Sequence, residues 1–516
     1  MIVNANSITI PMVDQSVHCV VTSPPYFALR DYQLPPTEWP TVTYTPMAGL
    51  APVTVQGCDP GCAHEWGQIR LATTSKHKDT DERRLGLPNP PASWTTREET
   101  VKGEQGSYCQ LCGGWRGCLG LEPTPEMFVG HIVAVFREIW RVLRDDGTCW
   151  VNFGDSYATG SKGTAEGMTP QDWIEDGQIK KASMTRAGCP VGLKPKDLCG
   201  IPWRVAFALQ ADGWYLRNDI IWHKPNPMPE SVTDRCTKGH EYLFLLSKNQ
   251  RYFYDNEAVK EESTDPEYRT RGKVRPTKDP MWEGSQQGDN RGGLHNQVGA
   301  RTTRNRRTVW TIPTRGYSGA HFATFPPALV TPCILAATSA KGVCPECAAP
   351  WERVVETRPS HPAREGGDNN WFKNTRQLSG HDARAGGFYD AVATTVGWRP
   401  ICEHYPHTSL WPELGHPRAN ESYHDFTIRC SELIAIRTRY MELWRDLPAV
   451  PATVLDPFCG SGTVGEVCNE TGRKFVGLDL SSSYLRELAL PRAENQCTME
   501  SVMELPMFAE PEAANA

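Results

Sequence analysis

Apolar positions along the chain fall into short blocks, and the spacing within each block predicts an element. MIVNANS at the start reads as a first strand. Val17 to Val21 is a near-continuous apolar run that stops at a rigid Pro-Pro pair, so it predicts a buried strand. Between Thr124 and Leu143 the spacing turns helical. Phe128, Ile132, Val135, Phe136, Ile139, Trp140 and Leu143 make one face, Thr124 is placed to cap, and Glu126 lies in the first turn. Asp146-Gly147 then turns into a strand from Thr148 to Phe153. A helix is expected near Pro202 to Gln210, strands at Tyr215 to Trp222 and Tyr242 to Ser247, and a helix near Pro327 to Ala337. Core character returns at Ala452 with a strand, a glycine turn, a helix, a strand from Lys474 to Leu480 and a last helix from about Ser482. Strands alternating with helices predict an α/β fold with a Rossmann-like, doubly wound, mostly parallel sheet.

The stretches between these blocks are too long for plain loops, which predicts inserted modules. The expected order is core at 1–34, an insert at 35–120 and core at 121–255. A basic segment follows at 256–310, then a closing core segment at 311–341, a second insert at 342–408, core again at 409–505 and a disordered acidic tail at 506–516. Residues 156–199 are polar and glycine-rich and read as a mobile loop.

Composition narrows the class. A net charge of -6 over 516 residues excludes a chain that binds nucleic acid by overall basicity, so any such contact must be local. No apolar run is long enough for a membrane span, and the N-terminus lacks the pattern of a signal peptide, so a cytoplasmic protein is expected. The 18 cysteines then point to metal ligands or buried packing rather than disulfides; Cys19 and Cys149, alone in apolar strands, read as core.

ATVLDPFCGSGT at 452–463 carries a strand into a glycine turn and a helix. Gly460 and Gly462 let the backbone approach a ligand, and Thr463 opens a helix whose N-terminus favours a carboxylate. About twenty residues on, a second strand ends at Asp479, an acid suited to ribose hydroxyls. The pair predicts a nucleoside-type cofactor. A dinucleotide fits less well, because GxGxxG spacing is missing.

DPFCGSGT resembles the S-adenosylmethionine loop of DNA amino-methyltransferases, and GLDLSSSYL resembles the segment that follows it in that family. The resemblance implies that Asp456, Pro457 and Phe458 line the methionine or adenine part and that Asp479 holds the ribose. TSPPY at 22–26 is similar to the family's catalytic motif. Ser23, Pro24, Pro25 and Tyr26 follow a strand, on the carboxyl edge of the sheet. The prolines fix the backbone so that one carbonyl can face a target amine. An exocyclic base amine is a poor nucleophile, because its lone pair is delocalised into the ring. Hydrogen bonds to the Ser23 side chain and the Pro24 carbonyl would make it tetrahedral and reactive, and the Tyr26 ring could stack on an extruded base.

Catalytic motif first and cofactor loop last is the circularly arranged order of the family's β class. FREIWRVLRDDGTCWVNFGDSY, NDIIWHKPNPMPES, GHEYLFLLSK and HFATFPPALV match further segments in order. By that likeness Phe325 closes over the methionine end. Serine at the first motif position is commoner in the family's cytosine enzymes, and Asp or Asn in its adenine enzymes. The resemblance therefore implies site-specific methylation of cytosine N4 in double-stranded DNA, with adenine N6 as the alternative; a cognate restriction endonuclease is a candidate companion that the sequence does not decide.

Two sets of cysteines and histidines have zinc spacing: Cys62, His64, Cys109 and Cys112, and Cys344, Cys347, Cys402 and His404. Each lies in an insert of low apolar content, so two structural zinc ions in zinc-ribbon-like modules are expected, with Cys58, Cys118 and His407 as competing ligands. Residues 269–307 hold 10 Lys/Arg against 3 Asp/Glu, which predicts contact with the DNA backbone and a part in target recognition. Rival readings are a zinc-ribbon nucleic-acid-binding protein without catalysis and a methyltransferase of RNA or protein.

Overall fold

The computed structural model describes residues 1–29, 32, 34–67, 71–72, 103–104, 107–158, 174–175, 178–179, 193–262, 303–315, 325–359, 391–412 and 423–493. Contacts divide the chain into two units. One joins Met1–Phe253, Thr308–Thr338 and Pro451–Ala516; the other joins Tyr254–Arg307 and Ser339–Val450.

The first unit is built on an eight-stranded sheet. Its strands are β1 (Ile2–Asn4), β2 (Val17–Thr22), β3 (Leu143–Phe153), β4 (Tyr215–His223), β5 (His240–Ser247), β6 (Val309–Thr311), β7 (Thr453–Asp456) and β8 (Lys474–Asp479). Their order across the sheet is β1-β8-β7-β2-β3-β5-β4-β6. Only the two pairings made by β5 are antiparallel. Consequently β2, β3, β4, β7 and β8 all end on one edge, and β5 starts there. All six residues of β2 are buried, as expected of a central strand covered on both faces.

Helix α1 (Pro125–Val142) begins where the pattern placed it. The Thr124 hydroxyl accepts the Met127 N–H at 3.2 Å, and Phe128, Ile132, Phe136 and Ile139 are fully buried. Helix α2 (Ile201–Ala211) and α3 (Pro327–Ala337) also match the expectation. Helix α4 (Thr463–Thr471) follows the glycine turn, and α3 packs against α4 and β2. Two details differ from the sequence reading. β3 starts at Leu143, which pairs with Val17 before a register shift to Thr148. The last helix has a π turn at Leu485–Ala489, next to Pro491, whose ring and missing N–H disfavour regular α-helical bonding.

The first insert does not rest on its cysteines alone. Its hairpin Val42–Tyr44 with Val53–Val55 lies on α1, where Gly130 leaves room for Val55 and Tyr44. Trp39 stacks on His131 of α1 at 4.1 Å, Trp115 follows at 5.5 Å, and both indoles are buried in the main core.

In the second unit, strands Trp351–Pro359 and Ala391–Pro400 form an antiparallel hairpin, against which helix Tyr423–Trp444 packs. Cys344, Trp351, Tyr405 and Trp444 form its small core. Residues 409–450, grouped by sequence with the cofactor half, lie by contact in this unit, because Trp411, Tyr440 and Trp444 join that aromatic cluster. Glu261–Glu262 pairs with Thr303–Arg304 as a short stem. Residues 263–302, which carry most of the basic segment, most of 156–199 and the tail lie outside the described residues. Among the described residues no helix is long and apolar enough to cross a membrane.

Candidate active site and cysteine clusters

β2 and β7 run side by side, with Cys19 opposite Val454 and Val20 opposite Leu455. Their ends therefore emerge together, and the Thr22 hydroxyl donates to Oδ1 of Asp456 at 2.7 Å. The same oxygen accepts the Phe458 N–H at 3.1 Å. Burial pushes the Asp456 carboxyl up to about 7, since both donors are neutral.

Beyond Asp456 the chain turns tightly. The Pro457 carbonyl takes the Ser7 hydroxyl at 2.5 Å. Gly460 and Gly462 have φ of 49° and 79°. A Cβ on Gly462 would stand 2.8 Å from Ala489 Cα, so the turn is closed to larger residues. Thr463 is buried at the first turn of α4. At the end of β8, Asp479 accepts the Gly460 N–H at 2.9 Å and the Ser481 N–H at 2.8 Å. Burial raises its carboxyl despite both bonds. A glycine loop beside the buried Asp456 and the half-buried Asp479 fits a nucleoside such as S-adenosylmethionine.

Ser23, Pro24, Pro25 and Tyr26 follow β2 directly. The Tyr26 ring lies against Gly154, where a Cβ would come within 2.5 Å of Cε2. Its phenol donates to Oε2 of Glu241 on β5 at 2.8 Å and accepts Asn152 Nδ2 of β3 at 2.6 Å. Ser23 Oγ donates to the phenol oxygen at 3.3 Å. Lys224, just after β4, pairs with Oε1 of Glu241. Burial alone would raise Glu241; the Lys224 ammonium and the bonds from Asn152 and Tyr26 outweigh it and hold the carboxylate below its usual range. Burial and then the Glu241 charge push the Tyr26 phenol well above its usual range.

The charge on Glu241 sets the direction of the phenol's hydrogen bond. An ionised carboxylate only accepts, so the phenol hydrogen goes to Glu241. The Ser23 hydroxyl has two acceptors, the phenol oxygen at 3.3 Å and the Asn152 backbone carbonyl at 3.5 Å, and with either one its lone pairs stay open. Asn152 Nδ2 also donates to Glu241 at 2.9 Å, which turns its Oδ1 away; that atom is buried and has no hydrogen-bond partner. Thr22, Asn152 and Phe325 share a small cavity with Leu329 and Cys333 of α3. Sequence reasoning missed Asn152, Lys224 and Glu241. The available signal was charge and amide groups inside or beside otherwise apolar strands.

The structure brings each expected cysteine set together. In both sets every ligand atom lies within 4.8 Å of the others. Cys62 Sγ is 3.8 Å from Cys109 Sγ, and Cys112 Sγ is 3.5 Å from His64 Nδ1. A tetrahedral ion with arms of about 2.3 Å to sulfur and about 2.0–2.1 Å to nitrogen has such edges. Burial would raise the Cys109 thiol, but backbone N–H groups of Cys112 and Leu111 and the His64 side chain bring it down to about 6. The two CxxC turns share one geometry. Cys109 N–H bonds Gly114 O and Gly113 N–H bonds Cys109 O; Cys344 N–H bonds Ala349 O and Ala348 N–H bonds Cys344 O. Gly113 and Ala348 both have positive φ, 73° and 57°. Cys58 lies beside the first set but outside it, with its Sγ on Trp115 O; Cys118 Sγ is on Leu34 O, and the His407 ring stacks on Tyr440.

A family model described as a DNA methylase, N6_N4_Mtase, matches residues 17–344 and 450–490. The break between them falls within the second unit. The Type II methyltransferase M.Cfr9I of Citrobacter freundii is 46% identical over 222 residues, 43% of this chain and 59% of that one. M.SfiI of Streptomyces fimbriatus, also a Type II methyltransferase, is 30% identical over 383 residues, 72% of this chain and 80% of that one. The chain thus spans about three fifths of the length of M.Cfr9I. Among solved structures, the cytosine-N4-specific PvuII DNA methyltransferase aligns over 73% of this chain and 75% of that one, at 12% identity and a TM-score of 0.32, too loose a likeness to bear on the site.

Proposed function

The chain belongs to the N6/N4 DNA methylase family, and from that premise we propose that it transfers a methyl group from S-adenosylmethionine to the N4 amine of cytosine at specific sites in duplex DNA. The observation that carries the proposal is the Thr22–Asp456 hydrogen bond, which joins the end of the catalytic strand to the start of the cofactor loop. Bound S-adenosylmethionine supplies a methyl group already activated by its sulfonium.

Asp479 and the Gly460–Gly462 turn hold the nucleoside, and Asp456, Pro457, Phe458, Thr463 and Phe325 line the remainder. The Pro24 carbonyl and the Ser23 lone pairs accept the amine hydrogens and localise the nitrogen lone pair. Asn152 Oδ1 is a further buried acceptor at the same edge. Tyr26 orients Ser23 through its hydroxyl, and its ring stacks on the extruded base. Serine at position 23 favours cytosine; adenine N6 is the second reading.

Each cysteine–histidine set holds a structural zinc ion. Three thiolates and one imidazole close the coordination shell and leave no open position for catalysis. The basic segment contacts DNA backbone through cations other than Arg304 and Arg307, which both pair with Glu261. A cognate restriction endonuclease is the candidate companion, because methylation of its site would protect the DNA from cutting.

Single-molecule sequencing of DNA from cells expressing the chain, with mass analysis of its digested nucleosides, tests this reading. N4-methylcytosine at one recurring sequence is expected. N6-methyladenine would replace the base assignment, and unmodified DNA would overturn the activity.

A further inference from the structure

The segment between β4 and β5, residues 224–239, stands on the sheet edge where the active site lies, because β4 ends and β5 begins there. Its first residue, Lys224, pairs with Glu241, which holds the Tyr26 phenol. Proline occupies positions 225, 227 and 229, so φ is fixed at every second residue. Asn226 clamps the start of the segment. Its Oδ1 accepts the Thr314 N–H at 2.9 Å, its Nδ2 reaches Thr314 O at 3.3 Å, and its carbonyl takes the Thr314 hydroxyl at 3.4 Å. On the far side Glu230 pairs with Arg235 at 2.5 Å. Between these anchors Met228 is 86% exposed, more than any other large hydrophobic residue described.

A rigid mount that holds a large apolar side chain in water beside a base-modifying site needs an apolar destination. Resting on the DNA reading above, we propose that Met228 is a wedge that enters the duplex and fills the gap left when the target base leaves the stack. A stacked, paired cytosine cannot bring its amine to Ser23 and Asn152, because both sit at the strand ends among buried residues. The base must therefore rotate out, and the emptied step must be occupied or it recloses. Methionine suits that gap: it is unbranched, polarisable and apolar, and it donates no hydrogen bond to compete with the orphaned guanine. The flanking prolines restrict the backbone on both sides of Met228, so insertion has mainly the side chain left to order.

The test uses the full chain and a synthetic duplex carrying the sequence found by sequencing methylated DNA. A second duplex has an abasic nucleotide opposite the target, which removes the partner that must be displaced. Met228→Ala should slow single-turnover methylation of the paired duplex by roughly tenfold or more. It should match wild type within about twofold on the abasic duplex. Met228→Leu should keep most of the paired-duplex rate. An unchanged Met228→Ala rate on the paired duplex overturns the wedge, and so does an equal loss on both duplexes. If wild type methylates neither duplex, the methyltransferase reading itself fails and the wedge with it, a result distinct from either of the others.

Discussion

The Tyr26 phenol donates to Glu241 across 2.8 Å, although the two residues lie 215 positions apart in the chain. Glu241 therefore orders Ser23 through Tyr26. Tyr26→Phe keeps the ring and removes the relay, so its turnover should fall about tenfold, the scale of one hydrogen bond to a charged group. Glu241→Gln should fall at least as far, because an amide leaves the donor direction open. Calorimetric affinity for S-adenosylmethionine should stay unchanged in both. Wild-type turnover in both variants would remove the relay.

Asp456 makes stability depend on pH in a defined direction. Its folded pKa is about 7 against an ordinary 3.8, so the folded chain holds this proton more tightly than the unfolded chain. Stability from the neutral carboxyl is complete below pH 3.8 and is lost as pH rises through 7. The full window corresponds to on the order of 4 kcal/mol. Asp456→Asn keeps an acceptor for Thr22 and Phe458 and cannot ionise. Without cofactor, this variant should match wild type in chemical denaturation at low pH and exceed it at pH above 7. Parallel curves at all pH values would contradict the assignment.

Asp479→Ala should weaken S-adenosylmethionine binding by roughly 1.5–3 kcal/mol, as expected for lost hydrogen bonds to a charged group. The same change frees the Gly460 and Ser481 N–H groups. Thermal unfolding without cofactor therefore has to accompany the calorimetry. An affinity equal to wild type would dismiss the ribose role.

Purified chain should contain close to two zinc ions by elemental analysis. Cys109→Ser and Cys344→Ser should each remove one. The first should destabilise less than metal loss alone would suggest, because Trp39, Tyr44 and Trp115 also anchor that insert to the main core. Active protein free of zinc would refute both sites.

Periodicity located β2, α1, α2, α3 and the glycine turn because each buries a contiguous face or run, and burial leaves its mark on neighbouring residues. The pairing of Tyr26 with Glu241 left no such mark. It depends on β5 lying beside β3, and that adjacency is set by sheet order, not by local spacing. The cysteine sets were readable because CxxC and CxH each put two donors on one turn. Helix Tyr423–Trp444 escaped notice, since its exposed Ile428, Ile434 and Ile436 spoil the amphipathic pattern while aromatic residues near its end make the contacts. The anchoring tryptophans of the first insert were also missed, because Trp39 and Trp115 are isolated in sequence and meet only around His131.

Val343 and Val450 exchange both backbone hydrogen bonds, at 2.8 and 2.9 Å. The 106 positions between them are, for the path of the backbone, a detour that returns to its own doorway. A change in the length of such a detour leaves the two ends of the doorway joined by the same pair of bonds. Closure entropy grows only with the logarithm of loop length, so the detour's size matters little to the chain that hosts it. Val343 and Val450 thus mark a natural splice point, where another folded cassette could be grafted or the present one replaced by a short turn.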